Sequence, residues 1–174
     1  MKRLLVLAVT SMLLLSGCTL ISASGGGWMP NASDEGNGKA TYGFDIWCNG
    51  ESGYLNGSWV YQDKVSGINA HGTLTDTSGG WVQPFFGSPY ETGLLCSPQF
   101  GSYDSSAGLK LVYEARPCPG GVCEGGWGYI LLTDSGVQGP DKGDTLTVDF
   151  QTGPYAFYDN SQTIGGGNLT VFAF

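Results

Sequence analysis

The chain holds a single histidine, His71, in "NAHGT". One imidazole can act as a general base. A Ser-His-Asp arrangement also needs a nucleophile on a sharp, glycine-flanked turn, and no such pattern is present. His71 is therefore read as a strand histidine that bonds a neighbouring strand or turn. Asp134, Asp141 and Asp144 lie in and around "TDSGVQGPDKGD", where carboxylates and turn carbonyls could hold Ca2+. Calcium takes about 6–8 oxygens, but the spacing here is not that of an EF-hand loop. Asp134 and Asp144 fit better as side chains that bond nearby amides in a tight strand connection. The fifteen acidic residues offer many pairs for glycoside cleavage and single out none. A glycan-directed hydrolase using an unassigned carboxylate pair is thus the alternative to a chain with no catalytic site. Among the five tryptophans, Trp47 is the candidate for stacking on a sugar, because it lies opposite the apolar face of its strand.

The amino-terminal residues carry a different chemistry. Lys2 and Arg3 precede an apolar run, Leu4 to Leu15, broken only by Thr10 and Ser11. A transmembrane helix needs about 20 apolar residues, so this run is too short to span and fits a cleaved secretory signal. Its ending, Leu15-Ser16-Gly17-Cys18, resembles the bacterial lipobox. That resemblance implies a diacylglyceryl group on the Cys18 thiol and cleavage just before it. Residues 1–17 are then signal peptide, 18–27 a lipidated flexible tether rich in Ser and Gly, and 28–174 the folded domain. The expected place is the cell envelope, lipid-anchored to a bacterial membrane, the outer one where there are two. One acyl chain holds only marginally, and the two or three of a bacterial lipoprotein make release slow.

Two of the seven basic residues and none of the fifteen acidic ones precede Cys18, so a chain starting there carries a formal charge of −10. That opposes nucleic acid and anionic lipid as partners, since both need clustered Lys and Arg. A cell-surface glycan or an envelope protein remains as the expected partner. Four cysteines follow Cys18: Cys48, Cys96, Cys118 and Cys123. In an exported chain an even number points to disulfides, and sequence alone allows three pairings. "CPGGVC" brings its ends together through a glycine turn, which favours Cys118–Cys123 and leaves Cys48 with Cys96. Neither a Cys-x-x-Cys pair nor a second histidine supports a structural zinc.

Elements that could position these residues follow a period of two. In "KATYGFDIWC" Ala40, Tyr42, Phe44, Ile46 and Cys48 share one side, and Thr41, Gly43, Asp45 and Trp47 the other. "YLNGSWVYQD" groups Leu55, Gly57, Trp59 and Tyr61. "LKLVYEA" sets Leu109, Leu111 and Tyr113 against Lys110, Val112 and Glu114, and "DTLTVDF" sets Leu146, Val148 and Phe150 against Thr145, Thr147 and Asp149. One apolar and one polar side describe antiparallel strands over a core. "INAHGTLT", "WGYILLTD" and "GNLTVFAF" add further strands, separated by glycine-rich turns. The expected fold is all-β: a single antiparallel β-sandwich or small β-barrel. A membrane-spanning barrel is disfavoured because the strands keep a polar face.

Several segments in succession resemble the uncharacterised post-COAP type of β-domain found in bacterial exported proteins. They are "GGGW" (25–28), "GKATYGF" (38–44), "GSWVYQDKVSGINAHGTLT" (57–75), "GYILLTDSGVQGPDKGDTLTVDF" (128–150) and "GGGNLTVF" (165–172). The resemblance runs from about Gly25 to the end. The middle segment, "WVQPFFGSPYETGLLCSPQFGSYDSS", is longer than the pattern, and "CPGGVC" is a local elaboration. What the resemblance implies is an all-β exported domain with no established activity; it supplies no catalytic residue.

Overall fold

The computed structural model describes residues 21–33, 38–48, 55–74, 80–82, 102–103, 106–135 and 143–173. Alternating side chains place these in strands: β1 (Ile21–Pro30), β2 (Lys39–Cys48), β3 (Leu55–Asp63), β4 (Ile68–Leu74), β5 (Gly80–Val82), β6 (Ser102–Tyr103), β7 (Ser106–Ala115), β8 (Gly125–Thr133), β9 (Thr145–Phe150), β10 (Asp159–Thr163) and β11 (Gly166–Ala173). Among the described residues no α-helix occurs, and every strand pairing is antiparallel. The fold is all-β, as the two-residue period predicts.

The strands form one curled sheet in the order β10-β9-β8-β7-β4-β3-β2-β1-β11, with the short β5 and β6 paired to β7. The ends of that order are neighbours in the chain, since only Ile164 and Gly165 separate β10 from β11. Residues 159–173 thus bind β9 with their first half and β1 with their second. At the junction the Ile164 amide donates to the Asp144 carbonyl (2.9 Å) and the Gly165 amide to that of Trp28 (3.0 Å). Both margins of the sheet are drawn together around one core. Inward positions fill it: Met29, Ile46, Tyr61, Leu111, Leu132 and Leu146 are each at most 2% exposed. Phe150 is the hub of its aromatic part, with ring centroids of Tyr113 at 4.5 Å, Trp59 at 6.1 Å and Tyr158 at 5.9 Å.

The start of the domain needs correction. Residues 21–27 do not belong to a tether: they are strand, paired with β2 on one side and β11 on the other. The glycines that gave the segment a linker-like composition serve close backbone approach. A side chain at Gly25 or Gly27 would run into the β11 backbone at Asn168 and Gly166, and Gly25 has φ +155°. The folded domain therefore includes Ile21 rather than beginning at Trp28.

Candidate functional site

At the end of the sheet holding the β3–β4 and β9–β10 turns, buried polar groups bond one another. The fully buried Asp63 carboxylate accepts from the Val65 and Ser66 amides (3.0 and 3.1 Å), the Ser66 and Tyr158 hydroxyls (both 2.9 Å) and the Ala32 amide (3.3 Å). Burial alone would raise its pKa. The Ser66 amide, the Tyr158 and Ser66 hydroxyls and the Ala32 amide outweigh that and hold it below the ordinary value. Tyr158 OH lies 2.6 Å from Tyr61 OH, which accepts from Asn160 Nδ2 (2.8 Å). Burial pushes the Tyr61 phenol up to about 12 and raises Tyr158 as well. This network ties three turns together, each acceptor on Asp63 being taken up by a group of the chain itself.

A different arrangement sits on the outer face of β1 to β4. β4 pairs with β7 only at Ala70–Ala115 and His71–Glu114, and the two strands then part. The Trp59 indole fills the gap by donating to the Val112 carbonyl (3.1 Å). Gly72 must be glycine, because any Cβ there would collide with that indole. Beside the gap lies an open groove of about 470 Å³ lined by Gly43, Asp45, Ser58, His71, Thr73 and Arg116, among others.

His71 stands on β4, and its Nε2 is 2.9 Å from Asn69 Oδ1, which also accepts from Gln62 Nε2 (3.1 Å). Its main bond is to its own strand rather than to a neighbour or a turn. With the carbonyl oxygen accepting, the proton resides on Nε2 and Nδ1 is left as an acceptor. Burial, and then the Arg116 guanidinium, lower the imidazole pKa against the pull of Glu114. Arg116 pairs with Glu114 at 3.1 Å, on the solvent-exposed surface.

The calcium candidates fare as strand connectors. Asp144 Oδ1 accepts from the Ser135 amide (2.9 Å) and hydroxyl (2.7 Å), spanning the β8–β9 connection, and Asp134 Oδ2 accepts from the Val171 amide of β11 (3.2 Å). Asp141 lies outside the described residues, as do Cys18 and Cys96; of Cys48 only the strand position is described. Cys118 and Cys123 form a disulfide with Cα atoms 4.3 Å apart. Glu114 is the other potential metal ligand near these sulfurs, which their bond to each other occupies. Trp47 is on the outer side of β2 and 47% exposed. The sequence did not single out Asp45, Ser58, Thr73 or Arg116. They come from three strands and one loop, and only the register brings them together.

No protein-family model, curated protein or solved structure matches this chain.

Proposed function

We propose that this chain is an exported envelope lipoprotein whose β-domain binds a ligand without chemically altering it. The observation that supports a binding role is the contrast between the two polar regions. The buried carboxylate and phenols are committed to one another and to backbone amides, whereas polar side chains of β2, β3 and β4 line an open groove. The anchor rests on the lipobox-like Leu15-Ser16-Gly17-Cys18. With β1 starting at Ile21, only Thr19 and Leu20 would separate the acylated residue from the sheet, holding the domain close to its bilayer. The resemblance to the post-COAP type of β-domain is consistent with an exported module lacking known catalysis.

Labelling of the full chain with radioactive palmitate tests the anchor. Label on the wild type, none on Cys18→Ser, and a mature chain beginning at Cys18 are the expected results. An unlabelled mature protein beginning elsewhere rejects it. The hydrolase alternative has one specific observation in its favour: Asp149 and Asp159 are register partners across β9 and β10 on the outer face. Directly opposed residues place carboxylates within the separation that glycosidases use. Release of reducing ends from a glycan panel, abolished by Asp149→Asn, would favour that enzyme. The binding module gives none.

A further inference from the structure

Two glycines on the outer face are less strictly demanded by the fold than the others. Most of the strand glycines are required: a Cβ at Gly25, Gly27, Gly57, Gly72 or Gly128 would strike backbone or a buried ring. Gly26 and Gly43 differ. A Cβ at Gly26 would find the Tyr42 carbonyl oxygen at 3.4 Å, and one at Gly43 would find Val60 Cγ1 at 3.3 Å. Neither has a positive φ. Glycine inside a strand weakens it by about 0.5–1 kcal/mol, and where geometry does not demand it, it often marks close approach of a ligand or another backbone. These two are direct register partners.

The register extends their row across the sheet: Asn168, Gly26, Gly43, Val60, His71, Glu114. On one side runs the row Trp28, Thr41, Gln62, Asn69, and on the other Thr170, Ser24, Asp45, Ser58, Thr73. The result is a trough across the strands, floored by bare backbone at Gly26 and Gly43 and walled by hydroxyls, amides, the Trp28 indole and one carboxylate. The walls stand about 13 Å apart, from four residues at about 3.4 Å each. The 470 Å³ groove takes in the Gly43, Val60 and His71 part of the floor and the Asp45, Ser58 and Thr73 wall, and reaches β1 at Gly25.

We propose that this trough binds a neutral glycan, laid across β1 to β4 with a sugar face on Gly26 and Gly43. This rests on the reading of the chain as a binding module and names the site and the ligand class. A pyranose offers a flat C–H face and a rim of hydroxyls. Bare backbone beside Val60 suits the first. Ser58, Thr73, Asp45 and His71 Nδ1 supply donors and acceptors for the second. Neutral chemistry fits better than a polyanion because Asp45 and the acidic chain repel negative charge, and the Arg116 guanidinium is already paired with Glu114. An extended peptide gains most from a sheet edge, yet β1, β2 and β3 are already paired on both sides along the trough.

The test is titration of the full chain, purified in detergent, with cello-, chito- and manno-oligosaccharides, and with oligogalacturonate and an extended-peptide library for comparison. The trough predicts binding to at least one neutral oligosaccharide. It also predicts a loss of about tenfold or more in the double variant Gly26→Val/Gly43→Val while the chain keeps the wild-type far-ultraviolet spectrum. Where that variant does not fold, Asp45→Ala, which alters an exposed wall residue, must show the loss instead. Glycan binding that persists with the trough filled or the wall altered overturns the site and leaves the module reading standing. Binding of none of the neutral sugars, or binding of oligogalacturonate or peptide in their place, overturns the ligand class. Palmitate labelling is unaffected by any of these outcomes.

Discussion

Asp63 shows how one residue can order a whole end of this molecule. Its carboxylate gathers the β3–β4 turn through Val65 and Ser66, the segment after β1 through Ala32, and the β9–β10 turn through Tyr158. Hydrogen bonds to a charged group contribute about 1.5–3 kcal/mol each, and their losses are not additive. Asp63→Asn should therefore lower the unfolding free energy by about 3 kcal/mol in urea titrations. Its pKa is depressed on folding, so the stabilisation is present above the unfolded value near 3.8 and disappears as pH falls through the folded value. Melting curves should show acid sensitivity below about pH 4 that is reduced in Asp63→Asn. Tyr61 acts in the opposite sense. Its raised pKa gives stability that is complete below pH 10 and lost as pH climbs to about 12. A second residue-scale expectation concerns Gly72. Gly72→Ala forces the Trp59 indole away from Val112 and should cost about 1–3 kcal/mol, read as a lower melting midpoint.

At the scale of elements, the β7–β8 connection is held by its own disulfide. Cys118 and Cys123 close a small loop around the 3-10 turn Pro119–Gly121. Chain-entropy arguments give a loop of this size about 2 kcal/mol. Cys118→Ser/Cys123→Ser should lose about that much while the far-ultraviolet spectrum stays that of the wild type, because neither cysteine reaches the core. The parting of β4 from β7 is the other feature of this scale. Two strands that separate leave backbone groups without sheet partners, and the Trp59 side chain satisfies one of them from within the core. Alternation in "GSWVYQD" correctly turns Trp59 inward, but nothing in that pattern says that its indole would bridge a gap in the sheet.

Across the whole molecule, β1 is the element on which the curl depends, for it joins β2 to β11 and so unites the first and last parts of the chain. A chain beginning at Trp28 loses Ile21–Gly27 and leaves most of β11 unpaired. Circular dichroism and hydrogen exchange should find it unfolded or aggregated, whereas one beginning at Thr19 folds. If both fold with the same stability, the curl does not depend on β1. The polar rows of the outer face also belong to this scale. Ser24, Asp45, Ser58, Thr73 and Thr170 are distant in sequence and form one wall only because five strands pair in one register.

The sequence by itself determined strands β2, β3, β4, β7, β8, β9 and β11, but not β1 or β10. Side chains alternate across a pleated backbone, so the inward set of β2, β3, β7 and β9 can be read from spacing alone. It also favoured the local Cys118–Cys123 bridge, because a short glycine turn needs no knowledge of the fold. Tertiary structure alone decided what the glycines mean. Composition cannot separate a flexible linker from a strand pressed against another backbone, and so Gly25 and Gly27 read as tether until β11 is in place. Nor can it show that Gly26 and Gly43 lie side by side on a surface: cross-strand adjacency is fixed by register, which depends on how the entire core packs.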